Sequence, residues 1–125
     1  MTTSILISVV DDDESVRDST KTLLRSVGYQ VAIFESGEQF LESGLLSETG
    51  CLILDMRMPG MTGLEVQRRL NLSKSPVPII FVTAHSDRAK RQLAIDRGCS
   101  DFLQKPFAAD IFLGAIETAL RNRPQ

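Results

Sequence analysis

Residues 51–61 read CLILDMRMPGM, and this stretch decides the fold. The apolar run Cys51–Leu54 has the length of a strand, the carboxylate of Asp55 follows it directly, and Pro59-Gly60 predicts a turn. A buried strand that carries one aspartate at its carboxyl end is well placed to present that side chain to a ligand. The alternative is that Asp55 only marks the end of the core, because aspartate is common in turns.

Three further apolar runs end in a charged or reactive residue, which favours a functional role for Asp55. They are Ile5–Val10 before Asp11-Asp12-Asp13, Pro78–Val82 before Thr83, and Asp101–Gln104 before Lys105. The four strand ends together supply carboxylates, a hydroxyl and an ammonium group. Such a combination is typical of a chemical site and not of a simple core boundary.

Strand-length runs alternate with helical periodicity along the whole chain. The predicted strands are Ile5–Val10, Val31–Phe34, Cys51–Leu54, Ile79–Val82 and Asp101–Gln104. A helix follows each strand, and the short connections favour a parallel sheet that is covered by helices on both faces. We therefore predict an α/β protein in which residues 1–125 form one domain. Its fold is a single open, doubly wound, five-stranded parallel sheet in the flavodoxin-like order 2-1-3-4-5, with five helices.

Capping residues and apolar spacing predict the helices. Ser36, Thr62 and Ser86-Asp87 are suited to begin the second, third and fourth helices, and the last helix is predicted from about Asp110 to Asn122. Ser43–Gly50 is predicted to be a loose connection. The residues predicted to line apolar helix faces are Val16, Thr20, Leu23, Leu24 and Val27 in the first helix, Ala89, Leu93 and Ala94 in the fourth, and Ile111, Phe112, Ala115, Ile116, Ala119 and Leu120 in the fifth.

The composition is that of an ordinary soluble domain. Of the 125 residues 42% are hydrophobic and 24% are charged, and the net charge is -2. Since the chain offers no basic field, we expect no direct nucleic-acid binding by this domain. The apolar runs are too short to cross a bilayer and Met1–Ser4 lacks a basic signal region, so we predict a cytoplasmic protein without a membrane partner. Cys51 and Cys99 lack CxxC spacing and are interpreted as reduced packing residues.

Three carboxylates are predicted to converge at one edge of the sheet. Asp11, Asp12 and Asp55 meet if the first and third strands are neighbours, and their mutual repulsion is relieved by a divalent cation. Oxygen-only ligands select a hard metal, so we expect Mg2+, with Mn2+ as a substitute. The alternative is a solvated acidic loop that caps the first helix, a role that suits Asp13 and Glu14.

A carboxylate beside a bound metal can attack phosphorus and form an aspartyl phosphate. Asp55 is the candidate nucleophile, while Lys105 and Thr83 are the candidates that neutralise charge on the transferred oxygens. Taken singly, Lys105 is equally compatible with a surface lysine and Thr83 with an ordinary strand-end threonine. Their joint occurrence at separate strand ends favours the functional interpretation.

Over essentially its whole length the sequence resembles the receiver domain of bacterial two-component response regulators. The matching motifs are VVDDD at 9–13, LDMRMPGMTG at 54–63, VTA at 82–84 and KPF at 105–107. Any one of these motifs is weak, whereas their combination is highly specific. Within the family, the opening run VVDDDESVRDS and the residue Phe102 most resemble the branch of nitrogen-fixation regulators with a helix-turn-helix output domain.

The resemblance implies a role for each residue of the site. Asp12, Asp55 and the backbone carbonyl of Arg57 would hold the Mg2+ ion, with Asp11 in support. Asp55 would accept a phosphoryl group from a sensor histidine kinase. The residues that contact this group would be Thr83 and Lys105, and the Lys105-Pro106 peptide bond would be cis.

The resemblance also implies how a signal leaves the domain. Thr83 and Phe102 would form the switch, and because Phe102 stands where many relatives have tyrosine, it can act through packing alone. The implied partners are the kinase, the protein's own output domain or a downstream protein, and the implied output is transcription. A separate hypothesis rests on the fourth helix, where Arg88, Lys90, Arg91 and Arg97 can pair with acidic groups of a second copy: a phosphorylation-promoted homodimer through the fourth helix, the fifth strand and the fifth helix. Arg57 and His85 occupy positions where the family tunes dephosphorylation.

The leading hypothesis is thus a phosphoacceptor switch and not an enzyme with turnover. One alternative is a Mg2+-dependent phosphatase with an aspartyl nucleophile, but Asp55-Met56-Arg57 lacks a second carboxylate to act as general acid or base. Another alternative is an interaction module that is never phosphorylated. The complete set of candidate site residues argues against it.

Overall fold

The computed structural model describes residues 4–84 and 87–122. The strands are β1 Leu6–Val10, β2 Gln30–Phe34, β3 Thr49–Asp55, β4 Ile79–Thr83 and β5 Asp101–Gln104. The helices are α1 Glu14–Ser26, α2 Gly37–Glu42, α3 Gly63–Leu72, α4 Arg88–Asp96 and α5 Ala109–Arg121. A short 3-10 helix, Leu46–Glu48, precedes β3.

The five described strands form one parallel sheet in the order β2-β1-β3-β4-β5. This confirms the predicted doubly wound fold. The register places Val10 beside Leu54 and Asp55 beside Val82. The carboxyl ends of β1, β3 and β4 therefore meet at the same edge, where the winding of the chain reverses direction.

Two hydrophobic clusters hold the helices against the sheet. On one face Phe40 of α2, Val66 of α3 and Ala94 of α4 pack against β3 and β4. On the other face Leu24 of α1 and Ile116 of α5 pack against the same sheet. All seven residues of β3 are buried, because this strand lies in the middle of the sheet with helices on both sides.

The helices begin at the capping residues that the sequence offers. Ser36 accepts a hydrogen bond from the Gln39 N–H, and Thr62 accepts one from the Glu65 N–H. Asp87 caps α4, whereas Ser86, which was predicted together with it, lies outside the described residues. The Lys105-Pro106 peptide bond is cis, as predicted.

The third strand is longer than predicted. It begins at Thr49 and includes Asp55, so the segment predicted as a loose connection contains the 3-10 turn and the first two strand residues. Thr49 and Gly50 are fully buried although neither is strongly apolar. The Thr49 hydroxyl donates to the Leu45 carbonyl oxygen at 2.8 Å and also bonds to Ser8 Oγ at 2.7 Å. The partner across the sheet cannot be seen from local hydrophobicity.

Several residues predicted to face the core are exposed. Val27 is 51% exposed, Leu93 38% and Ile111 57%, and Ala89 is exposed as well. Val27 lies beyond the last residue of α1, and Ile111 lies in the first turn of α5. Leu93 and Ala89 belong to α4, which contacts the core mainly through Ala94. Periodicity gives the apolar side of a helix, but the width of the buried stripe depends on what the helix covers.

The start of α3 lies against the backbone that carries Asp55. The Gly63 N–H donates to the Met56 carbonyl at 3.2 Å, and a Cβ atom at Gly63 would lie 2.3 Å from the Asp55 carbonyl oxygen. Real Cβ atoms do not approach a backbone oxygen so closely. Only glycine therefore permits this contact without displacing the end of β3.

Gly63→Ala is expected to lower the free energy of unfolding by about 2–3 kcal/mol, because the added methyl group overpacks a site walled by backbone. Urea denaturation followed by circular dichroism measures this change. The matched control is Gly114→Ala in α5, where a Cβ atom meets nothing within 4 Å. The control is expected to raise the same free energy by about 0.5–1 kcal/mol. Equal stability of both variants would contradict the proposed close contact at Gly63.

Candidate functional site

A cleft of about 250 Å3 lies at the carboxyl edge of the sheet. It is open to solvent above the ends of β1, β3 and β4. The residues that line it are Asp11, Asp12, Asp13, Asp55, Arg57, Thr83, Ala84 and Lys105. Every candidate residue for metal or phosphoryl binding thus lies in one cleft, although these residues come from four separate stretches of sequence.

The acidic cluster in the cleft consists of Asp11, Asp12 and Asp55. One carboxylate oxygen from each lies within 4.8 Å of the others. Asp11 and Asp55 are only 1% and 6% exposed, whereas Asp12 is exposed to solvent. Two of the three carboxylates are thus held close together with little water to screen their charges.

Lys105 supplies the positive charge that faces this cluster. Its Nζ donates to Asp11 Oδ2 at 2.9 Å, and its backbone N–H donates to the Thr83 carbonyl oxygen at 2.7 Å. The main-chain bond fixes the residue where β5 ends, and the side chain then reaches across the edge of the sheet to Asp11. Both the backbone and the side chain of Lys105 are therefore held in the cleft, unlike those of a free surface lysine.

The Asp55 carboxylate is held by the backbone two residues later, and its surroundings disfavour its charged form. Its Oδ1 accepts a hydrogen bond from the Arg57 N–H at 3.2 Å. Burial, and after it the negative charge of Asp11, raise the pKa of the Asp55 carboxyl to about 6, although the Arg57 N–H and Lys105 oppose the rise. The cleft therefore disfavours the charged form of Asp55 unless further positive charge enters.

Asp13 lies in the same cleft wall but has a structural role. Its Oδ1 accepts hydrogen bonds from the Ser15 N–H at 2.9 Å and the Val16 N–H at 3.2 Å, which caps α1. The bond from the Ser15 hydroxyl lowers the pKa of the Asp13 carboxyl most, and the Val16 N–H adds to this. Asp13 is thus occupied by the helix, as predicted, and lies apart from the acidic cluster.

Sequence reasoning missed Arg17. Its Nη1 donates to the backbone carbonyl oxygen of Asp11 at 2.7 Å, so it fixes the end of β1 from the first turns of α1. A basic residue near an acidic run is so common that this contact has no signal in the sequence. His85, predicted to tune dephosphorylation, lies outside the described residues.

A packed pair of aromatic rings connects the region of Thr83 to the sheet edge. Thr83 is 1% exposed at the end of β4, and Phe102 is half-buried in β5. The rings of Phe81 and Phe102 have centroids 6.1 Å apart, and the guanidinium carbon of Arg91 in α4 lies 5.9 Å from the Phe102 centroid. Phe102 is therefore held between the core and α4.

The donor set of the cluster fits a hard divalent cation. Three carboxylates supply oxygen atoms alone, and the nearest cation, Lys105, offers one charge against three. Arg57, whose carbonyl oxygen the sequence suggested as a further ligand, lines the same cleft.

Among residues 4–84 and 87–122, no helix is both long and apolar enough to span a membrane.

A doubly wound sheet with an acidic cleft and a lysine at its carboxyl edge defines a signalling receiver. The chain belongs to the response regulator receiver domain family, whose family model matches residues 7–117. It is therefore the phosphoacceptor switch domain of a response regulator. This result agrees with the family that the sequence motifs indicated.

Known proteins similar to this chain include several transcription regulators. Response regulator protein TmoT of Ectopseudomonas mendocina is 45% identical over 96% of this chain and 54% of its own length. Transcriptional regulatory protein FixJ of Bradyrhizobium diazoefficiens is 40% identical over 98% of this chain and 60% of its own length. The chain thus spans little more than half the length of these curated relatives.

Solved structures give the same fold. The response regulator StyR has a TM-score of 0.89 and 43% identity, with 97% of this chain and 61% of that chain covered. The structure described as FixJ-N has a TM-score of 0.88 and 33% identity, with 99% of each chain covered. The similarity therefore extends over nearly all of the present chain.

Asp55→Asn is expected to stabilise the metal-free protein above pH 7. The folded-state pKa of Asp55 is about 6, above its ordinary 3.8, so the stabilising contribution of this group is full below pH 3.8 and is lost as the pH rises through 6. The variant avoids this loss, by about 1–2 kcal/mol, less than the full shift implies because the cleft is open to water. Thermal unfolding at several pH values measures the difference.

The control for this experiment is Glu42→Gln, an exposed change in α2 outside the cleft. It removes the same charge but is expected to leave the pH profile of unfolding unchanged. A wild-type protein that gains stability relative to Asp55→Asn between pH 4 and pH 8 would refute the raised pKa.

Proposed function

We propose that Asp55 accepts a phosphoryl group from a sensor histidine kinase in a Mg2+-dependent reaction. The observation that carries this proposal is the placement of Asp55 among two other carboxylates and Lys105 in one cleft of a receiver fold. Phosphoryl transfer depends mainly on positioning and on neutralisation of charge. The cleft supplies both through its fixed strand ends.

The structure suggests which oxygen of Asp55 reacts. Oδ1 accepts the Arg57 N–H, so Oδ2 is the oxygen that remains available for attack on phosphorus. A bond forms between Oδ2 and phosphorus, while the bond from phosphorus to the kinase imidazole nitrogen breaks and that nitrogen keeps the electron pair. Lys105 Nζ and the Thr83 hydroxyl are the proposed partners of the transferred oxygens.

Asp12, Asp55 and the carbonyl oxygen of Arg57 would hold the Mg2+ ion, with Asp11 in a supporting position. When bound, the ion supplies charge neutralisation for the carboxylates and for the incoming phosphoryl oxygens. Asp11 is already bonded to Lys105 at 2.9 Å, which favours its supporting role over that of the leading ligand. Asp12, the exposed member of the cluster, is the carboxylate most accessible to a hydrated ion.

The proposed switch passes from Thr83 to Phe102. If the Thr83 hydroxyl moves towards a phosphoryl oxygen, space opens beside β4 into which the neighbouring aromatic ring can turn. Phe102 already contacts Phe81 and lies near Arg91 of α4, so a change in its rotamer alters the surface formed by α4 and β5. The phosphoryl group shifts this equilibrium only by its unequal affinity for the two states.

We propose that residues 1–125 act as one receiver unit that controls an output domain or downstream protein, and thereby transcription. The relatives TmoT and FixJ are about 1.6 to 1.8 times as long as the chain, which supports an attached output domain. A phosphatase with turnover is disfavoured because Arg57 stands where such a mechanism needs a second carboxylate. The proposed activity of the domain is limited to self-phosphorylation and self-dephosphorylation.

Incubation of the protein with a small phosphodonor and Mg2+ is expected to raise its intact mass by one phosphoryl group. The gain is expected to disappear without divalent metal, because three carboxylates then repel the incoming anion. It is also expected to disappear in Asp55→Asn, which lacks the nucleophile. Labelling of Asp55→Asn at the wild-type level would move the phosphorylation site elsewhere.

Asp12→Ala provides the second arm of this experiment. It removes a proposed direct ligand, so its Mg2+ affinity at pH 7 is expected to fall at least about tenfold, whereas the exposed control Asp18→Ala in α1 retains wild-type affinity. Calorimetric titration measures both. Wild-type affinity in Asp12→Ala would exclude this aspartate from the metal site.

We further propose a phosphorylation-promoted homodimer through α4, β5 and α5. This surface combines the exposed apolar side chains Leu93, Ile95 and Ile111 with basic residues of α4 and the acidic residue Asp101. A two-fold interface pairs each patch with its own copy, so basic and acidic groups on one surface can become complementary. The contact would bury apolar area that the monomer leaves in water.

Sedimentation of the domain is expected to show more dimer in the presence of beryllofluoride and Mg2+, a mimic of the phosphoryl group, than in their absence. Ile111→Asp is expected to abolish the increase because it places a charge in the apolar part of the interface. Leu72→Asp in α3, 70% exposed and outside this surface, is the matched control. A monomeric protein in both conditions at high concentration would refute the dimer.

A further inference from the structure

Helix α4 is attached to α3 at one end by two side-chain amides. Gln67 Nε2 donates to the Ala94 carbonyl oxygen at 2.9 Å, and Asn71 Nδ2 donates to the Arg97 carbonyl oxygen at 2.9 Å. Gln67 and Asn71 lie one turn apart on α3, so both amides point from the same helix face. Both of their partners lie at the carboxyl end of α4.

The accepting end of α4 is itself a rigid cap. The Cys99 N–H donates to the Ala94 carbonyl at 3.1 Å, and the Gly98 N–H donates to the Ile95 carbonyl at 2.9 Å, with Gly98 at φ +91. These two bonds form a Schellman motif. The Ser100 N–H then donates to the Ile79 carbonyl oxygen at 2.7 Å, and β5 begins at the next residue. The side-chain amides of Gln67 and Asn71 therefore bind the end of α4 that is also hydrogen-bonded to the sheet.

The amino end of α4 is held differently. A cleft of about 400 Å3 separates it from the beginning of α3, and Met56, Met58, Leu64 and Lys90 are among the residues that line this cleft. Among the described residues, no side chain of 88–91 forms a hydrogen bond or ion pair with α3. The end of α4 that lies nearer the acidic cluster thus has room to move.

The Gln67 amide is not explained by stability alone. Gln67 is 1% exposed, and its Oε1 has no hydrogen-bond partner within residues 4–84 and 87–122, which penalises the folded state. Its acceptor, the Ala94 carbonyl, keeps the Cys99 N–H when the amide is removed. A nonpolar side chain of the same length would therefore cost little, yet it would release the end of α4.

We propose that Gln67 and Asn71 form a two-amide clamp that fixes the carboxyl end of α4 to α3 and makes α4 a lever hinged at that end. Gln67 and Asn71 are positioning residues, since neither reaches the phosphorylation cleft. The coupling of the lever to Asp55 rests on the proposed function, whereas the one-ended attachment of α4 stands without it. Movement at the amino end is thereby converted into rotation and not into sliding of the whole helix.

Residue-resolved amide exchange by NMR tests the clamp in the metal-free protein. Gln67→Met is expected to raise the exchange rates of the Gly98 and Cys99 amides at least about fivefold, because these amides close the clamped end. Its melting temperature is expected to stay within about 3 °C of wild type, since the variant also removes the unsatisfied oxygen. The matched control, Gln30→Met, changes an exposed side chain in β2, at the edge of the sheet opposite β5, and is expected to change neither quantity.

Two results would overturn the clamp in this first experiment. One is unchanged exchange of Gly98 and Cys99 in both Gln67→Met and Asn71→Ala. The other is a uniform rise in exchange across the protein with a fall in melting temperature of more than about 8 °C, which would make Gln67 a stabilising contact only.

A second experiment adds beryllofluoride and Mg2+ and follows bound fluoride by 19F NMR. In wild type, the amide exchange rates of Gln92 and Leu93, which report on the amino half of α4, are expected to change at least about tenfold. Those of Gly98 and Cys99, at the clamped end, are expected to stay within about twofold. In Gln67→Met all four exchange rates are expected to change. Equal change at both ends of wild-type α4 would refute the lever. Absence of bound fluoride would instead refute the proposed function, and the clamp would still be judged by the metal-free data.

Discussion

The ion pair between Lys105 and Asp11 is the interaction on which the geometry of the site depends. It joins the chain after β5 to the chain after β1 across the ends of β3 and β4, with a separation of 2.9 Å. Asp11 is 1% exposed, so its charge would be costly to bury without this ammonium group. One ammonium group thus faces three carboxylates, and it offsets the charge of Asp55 only in part. Burial and this excess of negative charge together raise the pKa of Asp55 and favour the entry of a cation.

The sheet and α3 carry that geometry into the rest of the domain. β3 is buried along its whole length and ends at Asp55, so the backbone of Asp55 is fixed at the carboxyl edge of the sheet. Gly63 lets α3 begin directly against the Asp55 carbonyl, while the other end of the same helix holds α4 through Gln67 and Asn71. A single rigid helix thus lies between the acidic cluster and the part of the surface proposed to change.

Local sequence predicted the strands well and the buried faces of the helices less well. The predicted runs lie in strands at 6–10, 31–34 and 79–82, with Ile5 outside β1, because largely continuous β-branched and apolar residues suit a sheet covered on both sides. Leu93 and Ile111 have the right spacing but are exposed, because burial depends on whether a neighbouring element covers each turn. Thr49 and Gly50, which begin β3, could not be predicted to be buried strand residues, because neither is strongly apolar and the partner of Thr49 across the sheet, Ser8, lies far away in sequence.

The sequence by itself determined the order of strands and helices, the residues at each strand end and the chemistry available there. It determined these because hydrophobic period, capping and turn chemistry act over a few neighbouring residues. Only the tertiary structure decided that Lys105 pairs with Asp11, that Arg17 fixes the Asp11 carbonyl and that Gln67 grips α4. These contacts join residues on different elements, and their distances depend on strand order, register and helix packing, which no local pattern records.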